Sequence, residues 1–249
     1  TGRSKKPGIE VLPCAAGKSL IISKIAHELK RPILVLQPSK EILEQNYAKA
    51  VSFGSKPTIY SASCKKKELS AMTYATLKSI KKDVARLKDI GIDTLLIDEV
   101  HSGYSPEEGS EFMEFMNRFP EAKVLGFTAT PCRLRTYSSM LEGNYSKLNM
   151  LTKDEHNFFK KIVHVTQIQE LTSQGFWCPL KYERWSFDES ALMLNSTGAE
   201  YTNESIKESI VRNGLNNSIY KRLLQLMNER KAILVCMDSI ESCNRISEF

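Results

Sequence analysis

Short apolar segments alternate with helical patterns through the first half of this chain, and this alternation restricts the possible folds more than any other feature. Leu95-Leu96-Ile97 is apolar at consecutive positions, which is typical of a strand buried on both faces of a sheet. The predicted strands are 9–12, 32–36, 57–60, 72–74, 94–97 and 123–127, and the predicted helices are 17–30, 39–53, 77–88 and 107–119. Such alternation predicts an α/β fold, a parallel sheet with helices on both faces. Ligands of these sheets bind at the carboxyl ends of the strands, so residues that follow strands are candidates for function.

The pattern loosens after Pro131, and a second domain is predicted to begin near Pro179. Residues 133–153 are polar and predict a loop or short irregular helices, with a turn at Gly143-Asn144. Further strands are predicted at 162–166, 181–187 and 232–236, and helices at 167–174, at 203–228 with a break at Gly214, and from 239 onward. We therefore expect one domain over 1–178 and an incomplete second domain over 179–249, because so few elements do not fill an α/β domain.

Composition restricts the compartment and the kind of partner. The six cysteines are scattered and form no C-x-x-C pair, so a reducing, cytoplasmic setting is expected and a zinc site is not. No apolar run is long enough to span a bilayer, and the first residues lack the apolar core of a signal peptide. Because the chain does not begin with Met, we expect the native start to lie upstream. The formal net charge of +6 suits a polyanion such as nucleic acid, although a basic surface can also serve solubility alone.

The first candidate motif lies between the strand at 9–12 and the helix at 17–30 and reads Pro13-Cys14-Ala15-Ala16-Gly17-Lys18-Ser19. The start of a helix attracts phosphate, because its backbone N–H groups and the helix dipole favour an anion. Gly17 permits close approach of the backbone, Lys18 would reach terminal phosphates, and the Ser19 hydroxyl would hold Mg²⁺. Leu12 stands where the strict G-x-x-x-x-G-K pattern has Gly, so this motif alone leaves open an ordinary helix start with a solvated lysine.

The second motif, Asp98-Glu99-Val100-His101, follows the buried strand at 94–97. Two acids at the end of a buried strand need a reason, because buried charge is unfavourable, and Mg²⁺ provides one. Asp98 would hold the ion, and Glu99 would orient and activate a water molecule. The alternative is a polar strand end before a turn, which leaves unexplained why both acids face the same crevice as the phosphate loop.

The third motif, Thr128-Ala129-Thr130-Pro131, again follows a buried strand. Its hydroxyl groups could hydrogen-bond toward the acidic motif and relay the state of a bound phosphate. The alternative is a plain turn from strand to loop.

In order, these motifs resemble motifs I, II and III of the superfamily 2 helicases and translocases, with Asp98 to His101 similar to the D-E-x-H box. Gln37 to Asn46 resembles motif Ia, and Thr73-Tyr74-Ala75-Thr76-Leu77 resembles motif Ib. Residues 232–239 resemble motif IV, which opens the second RecA-like domain. Within the superfamily, the chain is most similar to the RadD-like and type III restriction-type branch.

The resemblance implies two RecA-like domains that bind Mg²⁺ and ATP between them and use the opening and closing of that cleft to move along or unwind nucleic acid. DNA is favoured over RNA as partner, and no membrane is expected. By this resemblance the catalytic residues are Lys18, Asp98, Glu99 and His101, the coupling residues are Thr128, Ala129 and Thr130, and the nucleic-acid contacts are Pro38, Ser39, Thr73, Tyr74 and Thr76.

Three departures from the family pattern affect the expected activity. Cys14-Ala15 stand where family loops have Thr-Gly, and a positive φ at Ala15 would be strained, so nucleotide affinity is expected to be low. The upstream glutamine motif that reads adenine is not found in these residues, nor are motifs V and VI with their arginine finger. We therefore expect residues 1–249 to bind ATP weakly and to hydrolyse it poorly.

Other functions remain open at this point: an ATP-gated nucleic-acid binder that does not unwind, the motor subunit of a restriction-type complex, or a small-molecule kinase with a phosphate loop. A strand-displacement assay would separate unwinding from binding alone. An increase in ATP hydrolysis on addition of DNA or RNA would argue against the kinase, which has no use for the third motif.

Overall fold

The computed structural model describes residues 6–102, 104, 109–139, 143–153, 157–195, 201–237 and 239–247, with the backbone alone for 135–139 and 143–146. Contacts divide the chain into two compact units, the first Thr1–Leu134 with Leu148–Leu180 and the second Arg135–Lys147 with Lys181–Phe249. None of the helices in the described part of the chain is both long and apolar enough to cross a membrane. The predicted start of a helix at 107–108 lies outside the described residues.

An eight-stranded sheet forms the centre of the first unit, in the order β10-β1-β7-β6-β2-β5-β3-β4. All of its pairings are parallel except that between β3 and β4. The strands are β1 (Gly8–Val11), β2 (Ile33–Gln37), β3 (Thr58–Ser61), β4 (Lys66–Lys67), β5 (Met72–Thr76), β6 (Thr94–Ile97), β7 (Lys123–Thr128) and β10 (Lys161–Val165). The predicted α/β fold, a RecA-like parallel sheet, is confirmed.

Helices cover both faces of this sheet. Strands such as β2 and β6 are apolar on both faces, and each face must be shielded from water. The helices with residues in the two cores of the sheet are α1 (Lys18–Leu29), α2 (Lys40–Ser52), α3 (Leu77–Ile80), α4 (Val84–Asp89) and α5 (Glu111–Asn117), and α6 (Ile168–Ser173) follows β10. Alternate residues of a strand point to opposite faces, and β2 accordingly divides its side chains between two cores. Leu34 and Leu36 join the core that includes residues of α5, whereas Ile33 and Val35 join the core that includes residues of α1 and α2. The single helix predicted at 77–88 is wrong in its continuity, since α3 and α4 are separate helices.

Strand order brings the ends of distant segments together. Strand β7 pairs with β1 on one side and with β6 on the other, so the loops that follow β1 and β6 flank the end of β7. Strand β2 lies next to β6, and β5 lies next to β2. The three candidate motifs and the start of α2 therefore share one edge of the sheet.

A separate two-stranded sheet consists of β8 (Cys132–Ser139) and β9 (Gly143–Met150). The prediction of a loop or short irregular helices over 133–153, with a turn at Gly143-Asn144, was therefore wrong, because both of these residues lie in β9. These strands are polar and lack the apolar alternation by which a strand is recognised in a sequence.

The second unit contains the helices α7 (Asn203–Arg212), α8 (Leu215–Glu229) and α9 (Ile240–Ser247). The predicted break at Gly214 is confirmed, with Gly214 in the left-handed conformation at φ 59°. The predicted strands at 181–187 and 232–236 are not formed. Leu234, expected in a buried strand, is 90% exposed. Apolar residues alone do not make a strand, because a strand also needs a neighbour with which to pair. An incomplete second RecA-like domain over 179–249 stays a prediction.

Candidate functional site

The loop after β1 turns sharply into α1 and leaves the start of that helix without a side-chain cap. Gly17 has φ 84° and Ala15 has φ 61°, both in the left-handed region, and the Ala16 N–H donates to the Pro13 carbonyl at 3.1 Å. By contrast, the Ser39 hydroxyl caps the start of α2 by accepting from the N–H of Ile42. An uncapped helix N-terminus attracts an anion, since its first N–H groups lack partners within the helix.

The acidic motif is held on both sides by neighbouring strands. The Asp98 N–H donates to the Leu36 carbonyl at 3.0 Å, and the Val100 N–H donates to the Phe127 carbonyl at 3.1 Å. Asp98 is 1% exposed, and its Oδ1 accepts from the Glu99 N–H at 2.9 Å. Glu99 has φ 50°, a conformation that is uncommon outside glycine and that is found more often at functional sites.

The side chain of Lys18 joins the first two motifs. Its Nζ lies 3.4 Å from Asp98 Oδ1 and donates to Glu99 Oε1. Burial raises the pKa of the Asp98 carboxyl, while the positive charge of Lys18 opposes that rise. The structure therefore brings together three residues predicted to be catalytic, with one ammonium group between two carboxyl groups.

His101 connects the acidic motif to the third motif. Its Nδ1 lies 2.9 Å from Thr128 Oγ1 and 3.2 Å from Glu99 Oε2. Burial lowers the pKa of the His101 imidazole, and the positive charges of Lys18 and Arg133 lower it further. Thr128 Oγ1 also donates to the Thr130 carbonyl and accepts from the Thr130 N–H, at 3.0 and 3.1 Å. Ala129, between them, is half-buried, and no side-chain contact gives it a role.

Two residues to which the sequence motifs gave no role support this cluster. Asn46 of α2 is fully buried and donates through Nδ2 to Asp98 Oδ2 at 3.1 Å. Arg133 donates to three backbone carbonyls: those of Val100 and His101 in the acidic motif, at 2.6 and 2.8 Å, and that of Tyr104 just after it, at 2.6 Å. The position of Asn46 among apolar residues of its predicted helix indicated that a polar side chain would be buried there, but not which partner it would have. No local pattern could have revealed the contacts of Arg133, because they depend on how β8 follows β7.

A groove of about 600 Å³ opens at the ends of β2 and β5. Pro38, Ser39 and Thr76 line it, in agreement with their predicted location on a common surface. Ser79 also lines the groove, where its hydroxyl accepts from Thr76 Oγ1 at 2.9 Å. Thr73 and Tyr74 require a correction, because both are 0% exposed inside β5 and neither side chain can meet nucleic acid in this structure.

The remaining predicted ligands lie at or near the surface of the loop. Cys14 and Ala15 are exposed, and Pro13, Ala16 and Ser19 are half-buried, with Ser19 in the first turn of α1. In the described residues, no group of three or more His, Cys, Asp or Glu side chains is arranged to hold a metal ion. All six cysteines are free thiols.

A parallel α/β sheet with a Gly-Lys-Ser loop after one strand and an Asp-Glu pair two strands away defines a RecA-like nucleotide-binding domain of the P-loop class. The family model described as "Type III restriction enzyme, res subunit" matches residues 2–133, more than half of the chain, and the chain belongs to this family and thus to the superfamily 2 helicases.

Two solved structures of helicases are similar to this chain over part of its length. The UvsW helicase from bacteriophage T4 is 15% identical with a TM-score of 0.40, over 51% of this chain and 48% of that chain. The helicase domain of Hef from Pyrococcus furiosus is 23% identical with a TM-score of 0.38, over 51% of this chain and 30% of that chain. The chain thus spans about half of the first and less than a third of the second. Among curated proteins, none matches.

Proposed function

We propose that this chain is the ATP-binding core of a nucleic-acid-dependent motor, which binds Mg²⁺ and ATP and hydrolyses ATP to move along or unwind DNA or RNA. The observation that carries the proposal is the position of Lys18 between Asp98 and Glu99. A lysine paired with two carboxylates beside an uncapped helix N-terminus can exchange those partners for phosphate oxygens. The family of the chain agrees with this chemistry.

The donor set fits a nucleotide with a hard divalent cation. The hydroxyl of Ser19 and the carboxylate of Asp98 offer oxygen ligands, which Mg²⁺ prefers. When bound there, Mg²⁺ would neutralise phosphate charge and help to orient the reacting group. Gly17 has no side chain to obstruct the backbone, and a Cβ built there would have only Leu20 Cδ1 within 4 Å, at 3.8 Å.

The proposed chemistry assigns a separate role to each polar side chain. Lys18 neutralises the terminal phosphates and thereby releases the carboxylate of Glu99. Glu99 then accepts a proton from the attacking water at an Oε atom. His101, hydrogen-bonded to Thr128, links the position of Glu99 to the third motif. Movement of Glu99 would thereby change the hydrogen bonds between Thr128 and Thr130. Thr130 begins the chain segment that leads to β8.

For nucleic acid, we propose the groove that Pro38, Ser39 and Thr76 line, with contact mainly to backbone phosphate. The net charge of +6 supports an anionic partner. Binding through phosphate releases counterions, so affinity should fall steeply as salt rises. DNA is preferred to RNA on the strength of the restriction-type family alone.

The activity of the whole protein is also a proposal, since the chain spans only part of the similar helicases. A motor subunit of a restriction-type complex would use the same site, and so would an ATP-gated binder that does not unwind. A small-molecule kinase is disfavoured by the His101–Thr128 hydrogen bond, which couples the acidic motif to a neighbouring strand instead of to an acceptor pocket.

Phosphate release from ATP, measured with and without single-stranded DNA or RNA, tests the proposal. We expect release to require Mg²⁺ and to rise when nucleic acid is added. Absence of nucleotide binding at any Mg²⁺ concentration would overturn the ATP site. A rate of ATP hydrolysis that neither DNA nor RNA changes would overturn the proposed motor function. The proposed nucleotide site would not be affected by that result.

A further inference from the structure

Asn46 occupies an unusual position for an uncharged polar residue. It lies on the inward face of α2, between the buried residues Leu43 and Ala50, and is itself 0% exposed. An amide in such surroundings is unfavourable unless it is hydrogen-bonded, because burial removes its contacts with water. Its Nδ2 has a partner in Asp98 Oδ2, at 3.1 Å. Its Oδ1 has no hydrogen-bond partner among the described residues.

The same residue is also anchored through its backbone. The Ser23 hydroxyl of α1 donates to the Asn46 carbonyl oxygen at 3.3 Å, and Ser23 is fully buried. Asn46 therefore touches the helix that follows the phosphate loop and the carboxylate that follows β6. Asn46 is thus held at two points, its main chain by Ser23 and its side-chain amide by Asp98.

The two oxygens of Asp98 have different partners. Oδ1 meets the Glu99 N–H and the Lys18 ammonium, whereas Oδ2 meets Asn46. Rotation of a carboxylate about its last bond moves both oxygens together, so a partner on Oδ2 restrains the direction of Oδ1 as well. The bond from Asn46 secures Oδ2 on the α2 side and leaves Oδ1 on the side of the phosphate loop.

We propose that Asn46 is a positioning residue that holds the Asp98 carboxylate with Oδ1 turned toward the phosphate loop, ready to ligate Mg²⁺. The inference rests on the proposed function, because it assigns the ligand-orienting role in that same site. Outer partners of a metal-binding carboxylate keep it oriented, and their loss typically weakens metal binding about 10- to 100-fold. Asn46 does not touch the phosphate loop through its side chain, so nucleotide binding without metal should not depend on it.

The test is a titration of the 249-residue chain with a fluorescent nonhydrolysable ATP analogue, at a series of Mg²⁺ concentrations and in excess chelator. Asn46→Leu keeps the approximate size and removes the amide. Asn46→Ser, too short to reach Asp98, repeats the measurement with a smaller side chain in case the leucine variant does not fold. Gln45→Leu, at the adjacent exposed position, is the matched control. Ser23→Ala removes only the backbone anchor.

Mg²⁺ should increase the affinity for the analogue. We expect the Mg²⁺ concentration that gives half of this increase to rise at least about 10-fold in the Asn46 variants. Binding in chelator should stay at the wild-type value, and both control variants should keep the wild-type Mg²⁺ requirement. A merely structural role would lower the melting temperature and leave the Mg²⁺ requirement unchanged, and that result in a folded Asn46 variant overturns the inference alone. A wild-type chain that binds no analogue overturns the proposed function together with the inference.

Discussion

The Nδ1 atom of His101 lies 2.9 Å from the Oγ1 atom of Thr128. That hydroxyl donates its one proton to the Thr130 carbonyl and accepts from the Thr130 N–H, so toward His101 it can only accept. Nδ1 must then carry a proton. The neighbouring Glu99 Oε2, 3.2 Å away, is also an acceptor and agrees with this. The lowered pKa of His101 adds that the ring is neutral near pH 7, with Nε2 as the free acceptor.

The pKa of His101 should therefore lie below its ordinary value of 6.5. Because the folded value is below the unfolded one, the contribution of His101 to stability is complete above pH 6.5 and is lost as pH falls through the folded pKa. Titration of the imidazole C2 proton by NMR measures this directly. Lys18→Ala should raise the pKa of His101, since Lys18 is one of the charges that lower it. An unchanged value in that variant would show that the charge of Lys18 does not lower the pKa of His101.

Replacement of Lys18 by Ala should weaken binding of a nonhydrolysable ATP analogue. A hydrogen bond to a charged group contributes about 1.5–3 kcal/mol, which corresponds to a loss of roughly 10- to 100-fold in affinity. Calorimetric titration gives the constant. Lys24→Ala is the matched control, because Lys24 lies on the same helix with its charged end paired to Glu28 at the surface. Equal affinity in the Lys18 variant and in wild type would show that Lys18 does not contribute to nucleotide binding.

Substitution of Glu99 by Gln should leave nucleotide binding intact and stop hydrolysis in the complete protein. Gln keeps the shape of the side chain and loses the base, so turnover should fall at least ~10²-fold. Glu68→Gln, at an exposed position, should have no effect. Phosphate release under saturating ATP is the measurement, and near-normal turnover would mean that another group activates the water.

Glycine at position 15 should stabilise the phosphate loop. Ala15 has φ 61°, and the left-handed conformation is unfavourable by about 1–2 kcal/mol for residues with a Cβ. Greater freedom of glycine in the unfolded chain offsets roughly 0.5–1 kcal/mol of that gain. Ala15→Gly should therefore raise stability by about 0.5–1 kcal/mol. Ala16→Gly, at the next position in the same loop, serves as the control and should not stabilise, because Ala16 is not among the residues with positive φ. Urea denaturation of both variants tests this, and equal changes would contradict it.

The substitution Gly126→Ala in β7 should displace Val100 of the acidic motif. A Cβ built there would lie 2.7 Å from Val100 Cγ1 and 2.9 Å from Phe159 Cε1. Overpacking of this kind typically destabilises by about 1–3 kcal/mol. Val100→Ala should partly rescue Gly126→Ala, since it removes the nearest clash. A double-mutant cycle measured by denaturation gives the coupling, and strict additivity would show that the two residues do not press on each other.

Sequence patterns located the central sheet because β2 and β6 are buried along their whole length, and burial on both faces leaves a continuous apolar run. The loop and the acidic motif were also predictable, since their chemistry is local to a few consecutive residues. Thr73 and Tyr74 were misassigned because a motif gives position and not exposure. The roles of Asn46 and Arg133 could not be predicted because their partners lie 52 and 29 to 33 residues away. The segments 181–187 and 232–236 have strand-like composition without a neighbour to pair with.

The two halves of the site are attached to the fold in different ways. Asp98 and Val100 are bonded through their N–H groups to strands on either side, whereas Gly17, at the N-cap of α1, has no side chain to cap the helix. Amide hydrogens of the acidic half should exchange with solvent only when the sheet opens, while those of the first turn of α1 should exchange through small local fluctuations. A ligand that spans both halves would slow exchange chiefly in the loop. We therefore expect a bound ligand to order the loop after β1, while Asp98 and Val100 keep their positions.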